Sequence, residues 1–256
     1  MPEKKSTNVL AIVQARCSSS RSPGKVLRQI LGKPMILHEL ERLLNSREIS
    51  KVMLATSSDA DDDLLAETVS PVVDVYRGSL NDVLDRYYQC AKQFQPEHVV
   101  RITGDCPIID WRLTDEVIRQ HLSEDNDYTS LSDQYPDGLD TEVIRFSVLE
   151  KAWKQARMTS EREHVTLYVR NHPELFKLGV HAAPQNWFDM RWTVDEPEDF
   201  KFISQVFAEL YTSNPDFDMQ DVLNLLNRQP ELTEINQGIR RNEGLQKSLA
   251  QDKLFK

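Results

Sequence analysis

Glycine is scarce, with 8 among 256 residues, about half the usual share. The nucleotide signatures built on glycine are missing with it. No G-x-G-x-x-G occurs, and Gly24-Lys25 has neither a glycine five positions earlier nor a hydroxyl residue after it, so there is no Walker A loop. A glycine-fingerprint dehydrogenase and a P-loop NTPase are excluded. The three cysteines, Cys17, Cys90 and Cys106, are odd in number and too far apart for a disulfide framework or zinc spacing, which fits a reducing compartment. No apolar run approaches the ~20 residues of a membrane span. The run after the first residues breaks at Gln14, too short for a secretory leader. The expectation is a cytoplasmic protein with no membrane partner. Positive charge is short as well, with 31 Lys and Arg against 41 Asp and Glu and a net charge of −10. Non-specific nucleic-acid binding depends on neutralising phosphates with Lys and Arg, so no nucleic-acid partner is expected.

The little positive charge there is sits together. Lys4, Lys5, Arg16, Arg21, Lys25, Arg28 and Lys33 fall in residues 4–38 without one acid, a stretch of +7 that leaves −17 to the rest of the chain. A basic island in an acidic protein points to a small anionic ligand. Around it, short apolar runs alternate with longer helical ones. Val9 to Val13 reads as a strand buried on both faces. Pro34 opens a helix with Ile36, Leu40, Leu43 and Leu44 on one side. Strands follow at 51–56, 72–75 and 98–102. Between them lie a helix capped by Ser57-Ser58-Asp59, with Asp61, Asp62 and Asp63 in its first turn, and a helix over 79–94. This order predicts βαβ units in a doubly wound α/β fold, a largely parallel central sheet with helices on both faces. The middle is less regular. Extended segments are expected at 128–131 and 139–144 about a Pro136-Asp137-Gly138 turn, then helices at 146–157 and 160–171. Further extended pieces at 176–182 and 190–194 precede a helix from Pro197. The main domain is drawn over 7–211. Residues 212–256 form a helical extension with a weakly amphipathic polar tail in the same unit, and no repeat or low-complexity tract appears.

Three places carry chemistry. Gln14 to Lys25 follows the first strand, at the strand carboxyl end where doubly wound sheets bind ligands. Its small residues, Ala15, Ser18, Ser19, Ser20 and Gly24, let backbone N–H groups come close to phosphate oxygens. Arg16, Arg21 and Lys25 would add charge-assisted bonds of about 1.5–3 kcal/mol each. The plain alternative is a solvated basic loop, against which stand the lack of acids and the buried strand before it. Thr103-Gly104-Asp105-Cys106-Pro107 ends another strand; Asp105 could hold a divalent metal or simply cap the next helix. Asp195 could bring a second carboxylate to that metal, an arrangement usual for Mg²⁺ with substrate phosphates, whereas Glu198 and Asp199 read as helix caps. Tyr135 to Asp140 is a turn by default, with sugar hydroxyl binding as the functional alternative. Arg162 and His164 could meet a substrate carboxylate or lie at the surface. The Asp59-Ala60-Asp61 and Asp125-Asn126-Asp127 pairs are short enough to arise by chance.

Ile12 to Met35 (IVQARCSSSRSPGKVLRQILGKPM) resembles the signature of the cytidylyltransferases that form CMP-sugars, among them the enzymes that activate 3-deoxy-manno-octulosonate and sialic-acid-like sugars. The SpsF-type branch, named for spore-coat polysaccharide synthesis, is also similar at Arg77–Ala91, Val99–Asp110, Tyr135–Val143, Ser160–Glu174 and Arg191–Phe200. The matching segments run in order through most of residues 8–210. The resemblance implies a Rossmann-like nucleotidyltransferase domain, a homodimer, that uses CTP and Mg²⁺ to convert an acidic sugar to its CMP derivative with release of pyrophosphate, for surface polysaccharide or glycan synthesis. By position it implies that Arg16, Arg21 and Lys25 act on the triphosphate, with Ala15, Ser18, Ser19, Ser20, Gly24, Thr103 and Gly104 around the nucleotide. It places residues of the 77–86 segment, Arg77, Gly78 and Asp82 among them, near the cytosine or ribose and Asp105 and Asp195 on the metal; Asp137, Asp140, Glu142, Arg162 and His164 are the candidates for contact with the sugar. Ser22 stands where the family pattern has a leucine, which bears on the packing of the loop and not on its charge. Two other readings share the loop: a nucleotidyltransferase acting on a sugar phosphate or another phosphorylated alcohol, and a glycosyltransferase that uses a nucleotide sugar.

Overall fold

A computed structural model describes residues 7–18 and 22–255. Ser19, Ser20 and Arg21 of the basic loop lie outside the described residues, as do Lys4 and Lys5. The elements in order are β1 (Val9–Gln14), β2 (Gln29–Ile30), β3 (Lys33–Pro34), α1 (Met35–Leu43), β4 (Lys51–Ser57), α2 (Asp63–Val69), β5 (Asp74–Gly78), α3 (Val83–Phe94), β6 (His98–Thr103) and α4 (Trp111–Ser123). There follow β7 (Tyr128–Leu131), β8 (Glu142–Arg145), α5 (Phe146–Gln155), α6 (Thr159–Glu163), α7 (Leu167–Arg170), β9 (Leu178–His181), α8 (Pro197–Leu210), α9 (Met219–Arg228) and α10 (Glu243–Ala250).

Seven strands form one sheet in the order β5-β4-β1-β6-β8-β7-β9. The four from β5 to β6 are mutually parallel, β8 runs antiparallel to β6 and β7, and β9 is parallel to β7. The alternation of side chains along β1 divides the core. Val9, Ala11 and Val13 pack with α1, α2, α4, α8 and α9, and Leu10 and Ile12 pack with α3 and α5 on the other face. The predicted fold is therefore present, with β1 at its centre, buried on both sides. Residues 212–256 do not begin a separate unit, because Val222, Leu223, Leu225 and Leu226 of α9 enter the main core.

Several boundaries differ from the sequence expectation for local reasons. Pro34 pairs with Gln29 in the small β2–β3 ribbon and precedes the helix it was expected to open. The third strand starts at Asp74, and α3 starts at Val83 because the Asp82 carboxylate caps it by accepting from Asp85 N at 2.9 Å. The helix expected over 160–171 is two helices, α6 and α7, since the backbone leaves the helical region at His164 (φ −102°, ψ 80°). Residues 190–194 form no strand, only a bridge from Arg191 to Asp137. At Gly138 (φ +105°) a Cβ would lie 2.4 Å from Thr193 N, so the two backbones meet there only because the residue is glycine.

Candidate active site at the carboxyl edge of the sheet

The parallel strands deliver their carboxyl ends to one rim, from which the described residues of the basic loop, 15–18 and 22–25, continue. Two backbone bonds set the loop: Gly24 N donates to Cys17 O at 2.9 Å, and Cys17 N donates to Asp62 Oδ1 at 2.6 Å. Asp62, buried at the head of α2, also accepts from Ser57 N and Ser57 Oγ. The expected role of Asp62 as one of three dipole-facing acids is thus too small, because its carboxylate ties β4 to the loop. Burial would raise its pKa, but those donors hold it below the usual carboxylate range.

Beyond the loop, Lys25 is buried and aimed inward. Its Nζ donates to Asp105 Oδ2 at 2.9 Å, Asp195 Oδ1 at 2.8 Å and Val194 O at 2.7 Å. Burial would lower the ammonium pKa, but Asp105 and Asp195 outweigh it and hold Lys25 charged. Asp105 answers in kind: burial pushes it up, and Lys25 beside it keeps the carboxylate below its ordinary range. The 192–195 segment is fixed to the Asp105 turn by Val194 N donating to Asp105 O at 2.8 Å. Arg191, also buried, bridges Asp137 (2.8 Å), Asp195 (3.0 Å) and Asp199 (2.9 Å). Asp199 is more than the helix cap expected of it: fully buried, it takes two Arg191 bonds, the N–H groups of Asp195 and Glu196, and the Asn236 amide.

Two cavities meet at this point. The first, about 630 Å³, is lined by Gln14, Ala15, Arg16, Lys25, Arg86, Thr103, Gly104, Asp105 and Asp195 on the sheet side. The second, about 320 Å³, shares Arg101, Thr103, Asp105, His164 and Asp195 with it and adds Asp137, Asp140, Glu142, Arg170, Arg191, Arg240 and Arg241. Both are polar, and both open where a phosphate-bearing and a second substrate could meet.

Most of the residues singled out in the sequence therefore converge, but not all in the expected roles. Gly104 lines the first cavity, yet its Cβ would strike Ala15 Cβ at 2.8 Å and Ile36 Cδ1 at 2.9 Å, so the close approach that demands glycine is within the chain. Asp82 and Arg162, expected near the nucleotide and the sugar respectively, are paired with each other away from both cavities. Arg77 is spent on Ser57 O, Asp59 O and Asp63, and Gly78 sits beside it at the strand end. Neither residue lines a cavity. Ser18 and Gly24 frame the loop without lining either one. Glu142 lines the second cavity, but its oxygens accept from Arg101, Tyr128 and Thr166. Burial opposes its ionisation, and Arg101 holds it at about 2, so Glu142 stays charged and sets Arg101 in place. Asp137 is pushed up to about 7 by burial and Asp140, against the pull of Arg241 and Arg191. His164 lies between the cavities with Nε2 3.0 Å from Ser248 Oγ, and burial lowers its pKa.

Arg86 ends the 77–86 segment expected near the nucleotide, though the sequence does not single it out within that segment. It is buried in the wall of the first cavity, donates from Nη1 to Ser79 O at 2.8 Å, and leaves Nε without a partner. Gln14 Oε1 in the same wall is also unpartnered. Both residues line the cavity, and unpartnered buried polar atoms of this kind call for a partner that a polar ligand would supply.

Asp105 and Asp195 fit a hard divalent cation. Their oxygens already converge on one positive centre, and two carboxylates with substrate phosphates are the usual holders of Mg²⁺. No cluster of three His, Cys, Asp or Glu joins them among the described residues. No helix among the described residues is long and apolar enough to cross a membrane.

Fold and site together define a nucleotidyltransferase-type α/β protein. The sequence model of the cytidylyltransferase family matches residues 10–231, and the chain belongs to that family. It is 33% identical over 232 residues to the spore coat polysaccharide biosynthesis protein SpsF of Bacillus subtilis, covering 88% of this chain and 96% of that one. An uncharacterized protein of Methanocaldococcus jannaschii is 34% identical, covering 91% of this chain and 96% of its own. A solved cytidylyltransferase from Leptospira borgpetersenii superposes with a TM-score of 0.86 at 29% identity, covering 92% of this chain and all of that one. The synthetase of CMP-2-keto-3-deoxy-manno-octonic acid, solved with CTP, shares the fold at 19% identity, with a TM-score of 0.64 over 79% of this chain and 99% of its own.

Proposed function

We propose that the chain transfers the cytidylyl group of CTP to the anomeric hydroxyl of an acidic sugar, giving a CMP-sugar and pyrophosphate for surface polysaccharide or glycan synthesis. The observation that carries this reading is Lys25, held between Asp105 and Asp195 where the two cavities join. The hydroxyl oxygen forms the new bond to the α-phosphorus, the bond to the pyrophosphate oxygen breaks, and the hydroxyl proton leaves to solvent. Such transfer asks little covalent work of a protein, so positioning and charge decide the rate. Lys25, on a flexible four-carbon stem, exchanges carboxylate for phosphate oxygens as the triphosphate enters. With Arg16 it offsets the charge that grows on the departing pyrophosphate. Arg86 and Gln14 offer their unpartnered atoms to the nucleotide. Arg191 keeps Asp195 and Asp137 at fixed positions across the junction. Mg²⁺ held by Asp105 and Asp195 would supply Lewis-acid stabilisation of the phosphate oxygens.

The second cavity also supports an acceptor that carries phosphate, since Arg170 and Arg240 line it without an ion pair among the described residues. Pyrophosphate release, measured with each of the four nucleoside triphosphates and a panel of acidic sugars and sugar phosphates, separates the readings. Release is expected with CTP and an unphosphorylated acidic sugar, and Asp105→Asn should lower it by about 100-fold. Release only with phosphorylated acceptors would establish the second reading, and incorporation of sugar from a nucleotide sugar without pyrophosphate would overturn both.

A further inference from the structure

Residues 240–255 follow the matched family region (10–231) and cross the mouths of both cavities. Arg240 to Leu245 line the second cavity, while Gly244, Lys247, Ser248, Gln251 and Lys253 line the first. This strap contains α10, in which no residue is buried, so no apolar core anchors the helix. It is hooked instead by polar bonds to α6. Asp252 accepts from Ser160 N at 3.0 Å, Ser160 Oγ at 2.7 Å and Thr159 Oγ1 at 3.0 Å. Ser248 Oγ donates to Glu163 at 2.7 Å and stands 3.0 Å from His164.

Charge tells what the strap brings. Of the side chains around the first cavity, six cations stand against three carboxylates, and two of the six, Lys247 and Lys253, come from the strap. Lys253 makes no ion pair among the described residues, and Lys247 has only Glu243 at 3.7 Å, one turn away on the same exposed helix. Such a pair is weak and is readily exchanged for a better anion. The same cavity is lined by Arg16, Lys25 and Arg86 from the body of the fold. An excess of positive charge supplied by both strap and body, in a chain of net charge −10, calls for a polyanion.

We propose that the strap is a substrate-binding cover, and that Lys247 and Lys253 bind the polyphosphate of the nucleotide together with the cations of the body that line the same cavity. Asp252 acts as a positioning residue that docks the strap in register. The proposal deepens the cytidylyltransferase reading and rests on it for the identity of the nucleotide.

The test uses the full chain with two probes: CTP in turnover and inorganic tripolyphosphate in calorimetric binding. The Lys247→Ala/Lys253→Ala double variant should bind tripolyphosphate about 10-fold more weakly, with a shallower dependence on salt. It should raise the KM for CTP by a similar factor, the larger part of its effect on kcat/KM. Lys247→Arg/Lys253→Arg should recover most of both. Asp252→Ala, which keeps every cation, should also raise KM and should abolish protection of the strap from trypsin by CTP. Unchanged tripolyphosphate affinity and KM in the double alanine variant would overturn the proposal while leaving cytidylyl transfer standing. Should the wild-type chain fail to turn over CTP, that reading falls, and the tripolyphosphate comparison still decides whether the strap binds polyphosphate.

Discussion

Lys25 concentrates the logic of the site in one side chain. It lies within 3 Å of two carboxylates and a carbonyl, and it is the one cation within ion-pair distance of Asp105 among the described residues. A buried pair broken on one side costs more than the pair was worth, because the remaining charge has no solvent to face. Lys25→Met leaves Asp105 in that state, while Asp195 keeps Arg191 at 3.0 Å, and should lower stability by about 3 kcal/mol in urea unfolding. Millimolar Mg²⁺ should restore part of the loss in the variant and leave the wild-type midpoint nearly unmoved, since only the variant has Asp105 unneutralised beside Asp195. A variant as stable as the wild type without Mg²⁺ would show that the two carboxylates do not depend on Lys25. The pattern of local sequence reveals Lys25, Asp105 and Asp195 because each follows a strand or precedes a helix. It does not single out Arg86, Asp62 or Asn236, whose significance comes from partners far along the chain.

At the scale of elements, the same division holds for a physical reason. Strands buried on both faces, such as β1, announce themselves as uninterrupted apolar runs, and so the parallel half of the sheet is readable in advance. The antiparallel half is assembled from shorter pieces whose ends are set by tertiary contacts, as where Gly138 abuts Thr193. The joint that holds this half to α4 has a property of its own. His98 Nδ1 lies 2.9 Å from His121 Nε2, and His121 Nδ1 lies 3.0 Å from Thr129 Oγ1 of β7. Burial first, then His98 and Arg145, lower the His121 pKa from 6.5 to about 3. Between those values the unfolded chain binds a proton that the folded chain refuses, so stability falls as pH falls from 6.5 toward 3. The slope from this group approaches, at most, about 1.4 kcal/mol per pH unit. His121→Gln should therefore be less stable at pH 7 but show a flatter loss of stability between pH 6.5 and 5 in urea titrations. A slope equal to that of the wild type would place the acid sensitivity elsewhere.

Across the whole molecule, the chain makes its site by returning to it. The basic loop lies near one end of the sequence, Asp105 near the middle, and Asp195 with Arg191 after the sheet is complete. Asn236 then comes back from beyond α9 to donate from Nδ2 to Arg191 O and Asp199 Oδ1, both at 2.9 Å. Leu232, just before it, is buried in the main core. After Asn242 none of the described residues is buried, and the strap touches the body through polar bonds and the Phe255 ring against the Arg162 guanidinium. The body of the fold therefore ends between Asn236 and Asn242, well past the boundary at 211 that composition suggests. Chains stopped after Arg241 and after Glu231 should separate these two kinds of attachment. The longer one keeps Leu232, Asn236 and the Arg241 bonds to Asp133 O and Tyr135 O. It should unfold within about 1 kcal/mol of the full chain, because exposed polar bonds contribute little net stability. The shorter one loses a buried leucine and two buried hydrogen bonds, one of them to a carboxylate, and should be weaker by about 4 kcal/mol. Equal urea midpoints for the two would mean that the Asn236 turn is as dispensable to folding as the strap. A large loss already in the longer one would mean that the strap belongs to the core unit and not to the substrates it covers.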